Sequence, residues 1–94
     1  MLKTDILIVG SGLAGLTLAL KLAEQRQVTI VTKRALPDGS SNWAQGGIAA
    51  VLDSHDSVSA HVDDTLIAGA GLCDKQATTF IVENSRAAIQ WLVD

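Results

Sequence analysis

Three glycines near the start of the chain, Gly10, Gly12 and Gly15, have the spacing G-x-G-x-x-G. In this pattern the first glycine permits a tight strand-to-helix turn, the second lets a pyrophosphate reach the backbone, and the third allows close helix–sheet packing. Free amides at the helix N-terminus hold the anion, and the helix dipole assists them. A structural glycine-rich turn is the other interpretation, but the preceding apolar run favours a dinucleotide site. The predicted binding residues are Gly10, Ser11, Gly12, Leu13, Ala14 and Gly15.

The adenosine end of such a site lacks its usual ligand. An acidic residue about 20 positions after the glycines normally binds the ribose. Thr32 and Lys33 stand there instead, which weakens an NAD interpretation in particular. The hydroxyl of Thr32 can bond a ribose hydroxyl, and Lys33 can reach a phosphate or the adenine edge. Alternatively, Lys33 only begins a solvated loop, as most lysines do.

A second segment is rich in small polar residues and paired glycines, which offer hydrogen bonds and close backbone approach without a charge. Such a loop at the carboxyl edge of an open α/β sheet lies where these sheets bind ligands. The alternative is a flexible connection in which Trp43 fills a gap in the core. The candidate binding residues of this segment are Ser40, Ser41, Asn42, Trp43, Ala44, Gln45, Gly46 and Gly47.

The elements that must position these residues form a predicted α/β fold. Residues 5–9 are a short apolar run that is typical of a strand buried on both faces of a parallel sheet. Residues 13–24 have helical periodicity, and 28–31 are a second buried strand, so residues 5–31 are predicted to form a Rossmann-like β-α-β unit. The apolar stripe expected on the inner face of the helix is Leu16, Leu20 and Ala23.

Beyond this unit, residues 33–47 are expected to be irregular, and 48–52 form a possible short strand. Ser57 or Asp56 can cap a helix that runs to about Ala68 and is ended by 69–71. Asp74 can cap a last helix, and three residues of its apolar stripe, Phe80, Trp91 and Leu92, are expected in the core. The whole stripe at helical spacing is Ala77, Phe80, Ile81, Ala88, Trp91 and Leu92. Because this helix meets the last residue without a cap, we expect residues 1–94 to be the amino-terminal portion of a larger domain.

Composition narrows the class of protein. The chain is 48% hydrophobic and 18% charged, which predicts a buried core, and its net charge of −3 argues against nucleic acid as a partner. No apolar run approaches the roughly 18 residues of a membrane helix. Cys73 is the only cysteine, so no disulfide can form within the chain, and a reducing, cytoplasmic location is expected.

A metal site is a weaker hypothesis. Two histidines and four aspartates lie close together in the sequence, namely His55, His61, Asp53, Asp56, Asp63 and Asp64. Their spacing matches no common ligand pattern, and carboxylates near helix starts are better explained by capping and by the helix dipole. We therefore expect no metal.

Taken together, the motifs carry a resemblance that covers essentially the whole chain. Residues 9–16, 31–33, 44–50, 61–65 and 69–74 occur in an order and spacing that resembles the amino-terminal end of the L-aspartate oxidases. These flavoproteins are related to the flavin subunits of succinate dehydrogenase and fumarate reductase. These linked motifs together make the resemblance far more specific than the first motif alone.

The resemblance implies FAD, bound by the glycine motif, by Lys33 and by residues 40–47. In this family a Ser/Thr-Lys pair replaces the acidic ribose ligand. The respiratory relatives attach FAD through a histidine in this loop, where this sequence has Ser40 and no histidine from Lys33 to Gly47, so non-covalent FAD is implied.

The implied reaction moves hydride from Cα of L-aspartate to the flavin and gives iminoaspartate for quinolinate and NAD synthesis, with oxygen or fumarate as the electron acceptor. Substrate-binding residues of the family lie beyond residue 94, together with the capping domain and the rest of the flavin domain, so no catalytic residue is expected here. The alternatives are a succinate dehydrogenase or fumarate reductase flavoprotein subunit and a non-catalytic, truncated nucleotide-binding fragment.

Overall fold

The structure is a computed structural model that describes residues 1–94. It contains two parallel strands and four helices, which confirms an α/β chain. Two compact units divide it, Met1–Gly47 and Ile48–Asp94. The elements are β1 (Ile6–Val9), α1 (Leu13–Leu22), β2 (Val28–Val31), α2 (Ser40–Trp43), α3 (Val58–Ala68) and α4 (Lys75–Val93).

The first unit is built on the predicted strand-helix-strand order. β1 and β2 pair in parallel, with Ile6 opposite Val28 and Val9 opposite Val31. Before the strands, the carboxylate of Asp5 accepts a hydrogen bond of 2.9 Å from the backbone amide of Gln27. This contact helps to hold the two strands in register at their amino ends. The carboxyl edge of the sheet is formed by Val9 and Val31.

Helix α1 begins where the sequence predicts but packs through a different stripe. It ends at Leu22, and Ala19 is its buried residue, whereas Leu20 is 67% exposed and Ala23 is also exposed. The inner face carries Gly15 and Ala19, four residues apart, because these small residues let the helix backbone approach the sheet closely. The predicted inner positions of Leu20 and Ala23 are therefore wrong.

The strands are buried less than the sequence predicts. Ile8 is buried, but Leu7 is 59% and Val9 is 82% exposed. Side chains alternate between the two faces of a strand, and α1 contacts both strands from one side. Burial on both faces is therefore wrong for this chain, in which the sheet has only two strands.

The predicted strand at residues 48–52 is absent. Ile48 and Leu52 are both at least half exposed, and β1 and β2 are the only strands that pair in the chain. A strand needs a neighbour that satisfies its backbone groups, and this segment has none. Instead, the carbonyl of Leu52 accepts a hydrogen bond of 2.6 Å from the guanidinium of Arg86.

The predicted caps of both long helices are confirmed. The hydroxyl of Ser57 accepts from the amide of Ala60 at 3.1 Å and so caps α3. The carboxylate of Asp74 accepts from the amide of Ala77 at 2.7 Å and caps α4. Helix α3 ends at the predicted stop, where Gly69 is the C-cap and the two residues after it have positive φ.

The predicted core face of α4 is wrong. Phe80, Trp91 and Leu92, which the sequence places in the core, are exposed, and so is the rest of their stripe, Ala77, Ile81 and Ala88. The buried residues of this unit are Val62 of α3 and Val82 of α4, so α4 packs on α3 through a neighbouring stripe. Periodicity locates apolar stripes on a helix but does not tell which of them a neighbour covers. None of the helices combines the length and apolar character that a membrane-spanning helix needs.

We predict that Asp74→Ala destabilises the second unit by about 1 kcal/mol, because the amide of Ala77 loses its acceptor and the helix dipole loses a favourable charge. Asp74→Ser keeps a capping oxygen and should recover most of the loss. Denaturant unfolding of the intact gene product, followed by circular dichroism, measures both. Asp64→Ala, which removes an exposed carboxylate within α3, is the matched control. Equal stability of the Asp74→Ala and Asp64→Ala variants would contradict the capping role.

Candidate cofactor site

The turn between β1 and α1 requires glycine at its first position. Gly10 has φ of +111°, a left-handed conformation that side chains other than glycine rarely adopt. Its amide donates to the carbonyl of Val31 at 2.8 Å, so the turn starts from the carboxyl edge of the sheet. This geometry turns the chain from strand to helix, as the sequence predicts.

Gly15 permits the close approach of α1 to this turn. A Cβ atom at Gly15 would lie 2.7 Å from the carbonyl oxygen of Gly10 and 3.2 Å from Cγ2 of Ile8. The first distance is far below van der Waals contact and involves backbone, which cannot rotate away. Close helix–sheet packing therefore depends on the absence of a side chain at this position.

The N-terminus of α1 lies beside the second candidate segment. Gly12 is the N-cap and has no side chain with which to cap the helix. The amide of Leu13 donates to the hydroxyl of Ser41 at 3.0 Å, and a Cβ atom at Gly12 would lie 3.3 Å from that oxygen. Since α1 has no acidic residue in its first turn, the dipole of this helix end is uncompensated by charge and favours an anion.

A cavity of about 350 Å³ lies beside this helix end and joins the two segments. Ser11 and Leu13 line it from the glycine motif, and Ser41 and Asn42 line it from the second segment. The hydroxyl of Ser11 donates to the carbonyl of Leu36 at 2.7 Å. Leu36 also lines this cavity and was not predicted as a site residue, because nothing in the sequence marks an apolar side chain as a ligand contact.

A second cavity, of about 410 Å³, lies at the carboxyl ends of both strands, where open α/β sheets bind ligands. Gly10 lines it together with Thr32 and Lys33, so the structure brings the glycine motif and the Thr-Lys pair together. Arg34 and Asp38 also line it, and neither was predicted. Arg34 directly follows the Thr-Lys pair, and this position was the available signal for it, whereas Asp38 lies five residues after Lys33 in a loop that carries no such signal.

The hydroxyl of Thr32 is engaged within its own turn. It donates to the carbonyl of Arg34 at 2.7 Å and accepts from the amide of the same residue at 3.2 Å. Side chains of threonine commonly bond the backbone two residues on in this way. The hydroxyl proton of Thr32 is therefore committed, and one lone pair of the oxygen is left for a ligand.

The expectation that residues 33–47 are irregular is wrong in part, because α2 occupies Ser40–Trp43. The amides of Asn42 and Trp43 both donate to the carbonyl of Gly39, which starts this single turn. Trp43 is 73% exposed, so it does not fill a core gap, and its indole Nε1 donates to Asp38 at 3.4 Å. The remaining candidates are exposed and line neither cavity, namely Ser40, Ala44, Gln45, Gly46 and Gly47.

The histidines and aspartates of the metal hypothesis do not converge. His55 Nδ1 lies 2.8 Å from Asp53 Oδ1, and both side chains are exposed. The backbone amide of His55, followed by its ring, lowers the pKa of Asp53 because both stabilise the charged carboxylate. No three His, Cys, Asp or Glu side chains come together as metal ligands would.

The comparisons with known proteins agree with this geometry. A family model described as FAD binding domain matches residues 5–94. The chain is 70% identical over 89 residues to L-aspartate oxidase 1 of Ralstonia nicotianae, and 60% identical over 91 residues to L-aspartate oxidase of Yersinia pestis. It is 56% identical over 90 residues to that of Pseudomonas aeruginosa.

These alignments cover 95%, 97% and 96% of this chain but only 17% of each relative. The resemblance to the L-aspartate oxidases is therefore confirmed, and the chain spans about a sixth of the length of the relatives that it matches. The match to the family model confirms FAD as the expected cofactor. Since that model spans almost every residue of the chain, the chain belongs to the FAD binding domain family.

Proposed function

We propose that this chain is the amino-terminal part of the FAD-binding domain of an enzyme that oxidises L-aspartate to iminoaspartate, in the quinolinate route to NAD. The observation that carries the proposal is the 70% identity to L-aspartate oxidase 1 over 95% of the chain. In this proposal residues 1–94 supply a Rossmann-like unit, and the residues that bind the dicarboxylate lie on other segments of the enzyme.

The residues present fit the diphosphate of FAD. Gly12 keeps the helix N-terminus free of a side chain, and the first amides of α1 have no acceptor within the helix. The hydroxyl of Ser41 accepts from the amide of Leu13 and keeps its own proton, which it can donate to a phosphate oxygen. The turn residues Ser11 and Ala14 complete this end of the proposed site.

The adenosine end of FAD is assigned to the cavity at the carboxyl edge of the sheet. Thr32 and Lys33 line that cavity, and the ammonium group of Lys33 is the proposed partner of a phosphate or the adenine edge. The second segment is proposed to contact the rest of FAD through Ser40, Ser41, Asn42, Trp43, Ala44, Gln45, Gly46 and Gly47.

When bound, FAD supplies the hydride acceptor for oxidation at Cα of L-aspartate, and oxygen or fumarate is the proposed final electron acceptor. The chain's own contribution is to hold the diphosphate at the start of α1 and to fix the adenosine at the strand ends. We propose non-covalent attachment, since no histidine lies between Lys33 and Gly47. A cytoplasmic location belongs to the same proposal and is supported by the free thiol of Cys73.

The test is an assay of hydrogen peroxide release by the intact gene product with L-aspartate and with succinate. Release with L-aspartate alone, with flavin freed by acid precipitation, supports the proposal. Turnover of succinate by a protein that keeps its flavin after acid would instead assign a respiratory flavoprotein. Flavin binding without turnover of either substrate would leave a non-catalytic nucleotide-binding chain.

We expect Lys33→Ala to weaken FAD binding about tenfold, because a charge-assisted hydrogen bond contributes about 1.5–3 kcal/mol. Titration of the apoprotein with FAD, followed by flavin fluorescence, measures the dissociation constant. Lys3→Ala removes an exposed lysine that precedes β1 and serves as the control. Equal affinity of the Lys33→Ala variant and the parent protein for FAD would contradict this prediction and would show that Lys33 is only a solvated loop residue.

A further inference from the structure

The end of β2, which faces this cavity, lacks the acid that usually binds the adenosine ribose. Ribose hydroxyls need an acceptor, and in comparable sites a carboxylate at the end of the second strand provides it. Here that position holds Thr32, whose hydroxyl already donates to and accepts from Arg34. The usual carboxylate is thus replaced by a hydroxyl that can accept few further hydrogen bonds.

Among the other side chains that line this cavity, one can accept hydrogen bonds from the ribose hydroxyls. Lys33 and Arg34 carry only donors, and the carbonyl of Val31 already accepts from the amide of Gly10 at 2.8 Å. Asp38 lines the same cavity and is its only carboxylate. An ionised carboxylate is an acceptor with about four lone-pair sites, so it matches a pair of neighbouring hydroxyl donors.

The carboxylate of Asp38 is held in place and can still accept further hydrogen bonds. Its backbone amide donates to the carbonyl of Ala35 at 2.9 Å, so the residue sits in a hydrogen-bonded turn ahead of α2. Trp43 Nε1 donates to Oδ1 at 3.4 Å, a long hydrogen bond that leaves most of the acceptor capacity unused. The cations of Lys33 and Arg34 in the same cavity offset the repulsion between this carboxylate and an anionic cofactor.

We propose that Asp38 accepts the hydroxyls of the adenosine ribose of FAD and so supplies, beside the Thr-Lys pair, the carboxylate that is missing from the end of β2. The inference rests on the proposed function, because it names the part of the same cofactor that this cavity binds. Asp38 acts as a binding and specificity residue that selects an adenosine with free ribose hydroxyls. It takes no part in the redox chemistry.

The test compares FAD with an FAD analogue whose adenosine ribose lacks both hydroxyls. Dissociation constants are measured on the apoprotein of the intact gene product by flavin fluorescence. The parent protein should bind the analogue about tenfold more weakly than FAD. Asp38→Ala should bind FAD about tenfold more weakly than the parent and should no longer distinguish the two ligands, and Asp38→Asn should lose most of this discrimination.

Glu24→Ala removes an exposed carboxylate in the turn after α1 and is the matched control, which should discriminate like the parent. If the Asp38 variants bind FAD and still prefer it to the analogue as strongly as the parent does, the inference is overturned while the proposed function stands. If the parent protein binds no FAD at all, both are overturned.

Discussion

Gly12→Val is expected to lower the affinity for FAD at least about 100-fold while the first unit stays folded. Gly12 has φ of −74° and ψ of −178°, an extended conformation that valine adopts readily. Its Cβ would meet only the hydroxyl of Ser41, at 3.3 Å, which a change of rotamer can relieve. The branched side chain therefore enters the space of the diphosphate without straining the backbone.

The size of this effect follows from the contacts that are lost. Hydrogen bonds to a charged group contribute about 1.5–3 kcal/mol each, and displacing the diphosphate from two amides costs about 3–6 kcal/mol, or at least 100-fold. Flavin absorbance of the purified intact gene product, with titration of its apoprotein, measures retention and affinity. Ala23→Val is the control, since Ala23 is an exposed residue at the end of α1 and lines neither cavity. Unchanged yellow colour in the Gly12→Val protein would refute the placement of the diphosphate.

Features set by local backbone chemistry were predictable from the sequence. The turn at Gly10 and the caps at Ser57 and Asp74 each depend on a few neighbouring residues, and all three occur as expected. A side-chain oxygen three residues before a free amide, or a glycine directly after an apolar run, restricts the backbone strongly. Such signals need no knowledge of the rest of the fold.

The faces that pack were not predictable in the same way. Leu20 of α1 and Phe80 of α4 belong to apolar stripes, yet each is 67% exposed. Which stripe is covered depends on how closely two elements approach, and in α1 that is decided by Gly15 and Ala19 rather than by the larger side chains. Hydrophobic periodicity shows where an apolar stripe lies on a helix, but it does not show which neighbouring element covers that stripe.

The candidate site shows the same division. The glycine motif and the Thr-Lys pair were found from spacing, and the structure brings both to one cavity. The turn that consumes the hydroxyl of Thr32, and the placement of Asp38 in that cavity, depend on the path of residues 33–39. A loop without periodicity gives no sequence signal for such a path, so these contacts cannot be predicted from the sequence.

Gly15→Ala, by contrast with the change at Gly12, is expected to lower the free energy of unfolding of the first unit by about 2 kcal/mol. Two effects oppose each other. Alanine favours a helix by about 1 kcal/mol over glycine, whereas overpacking costs about 1–3 kcal/mol, and here the overlap lies between backbone atoms. The carbonyl of Gly10 cannot yield, because its residue is fixed by the hydrogen bond to Val31 and by its positive φ.

The overlap can therefore be relieved only if α1 moves off the sheet. This movement exposes Ile8, the buried residue of β1, whose burial contributes about 1.5–3 kcal/mol of stability, and part of that stability is lost. Thermal unfolding of the intact gene product without added FAD measures the loss, and Gly39→Ala is the control because a Cβ at Gly39 meets nothing within 4 Å. An unchanged or higher unfolding midpoint for Gly15→Ala would show that helix propensity outweighs the overlap with Gly10. The same variant should also lose FAD, since a helix that retreats from the turn carries the first amides of α1 away from the diphosphate.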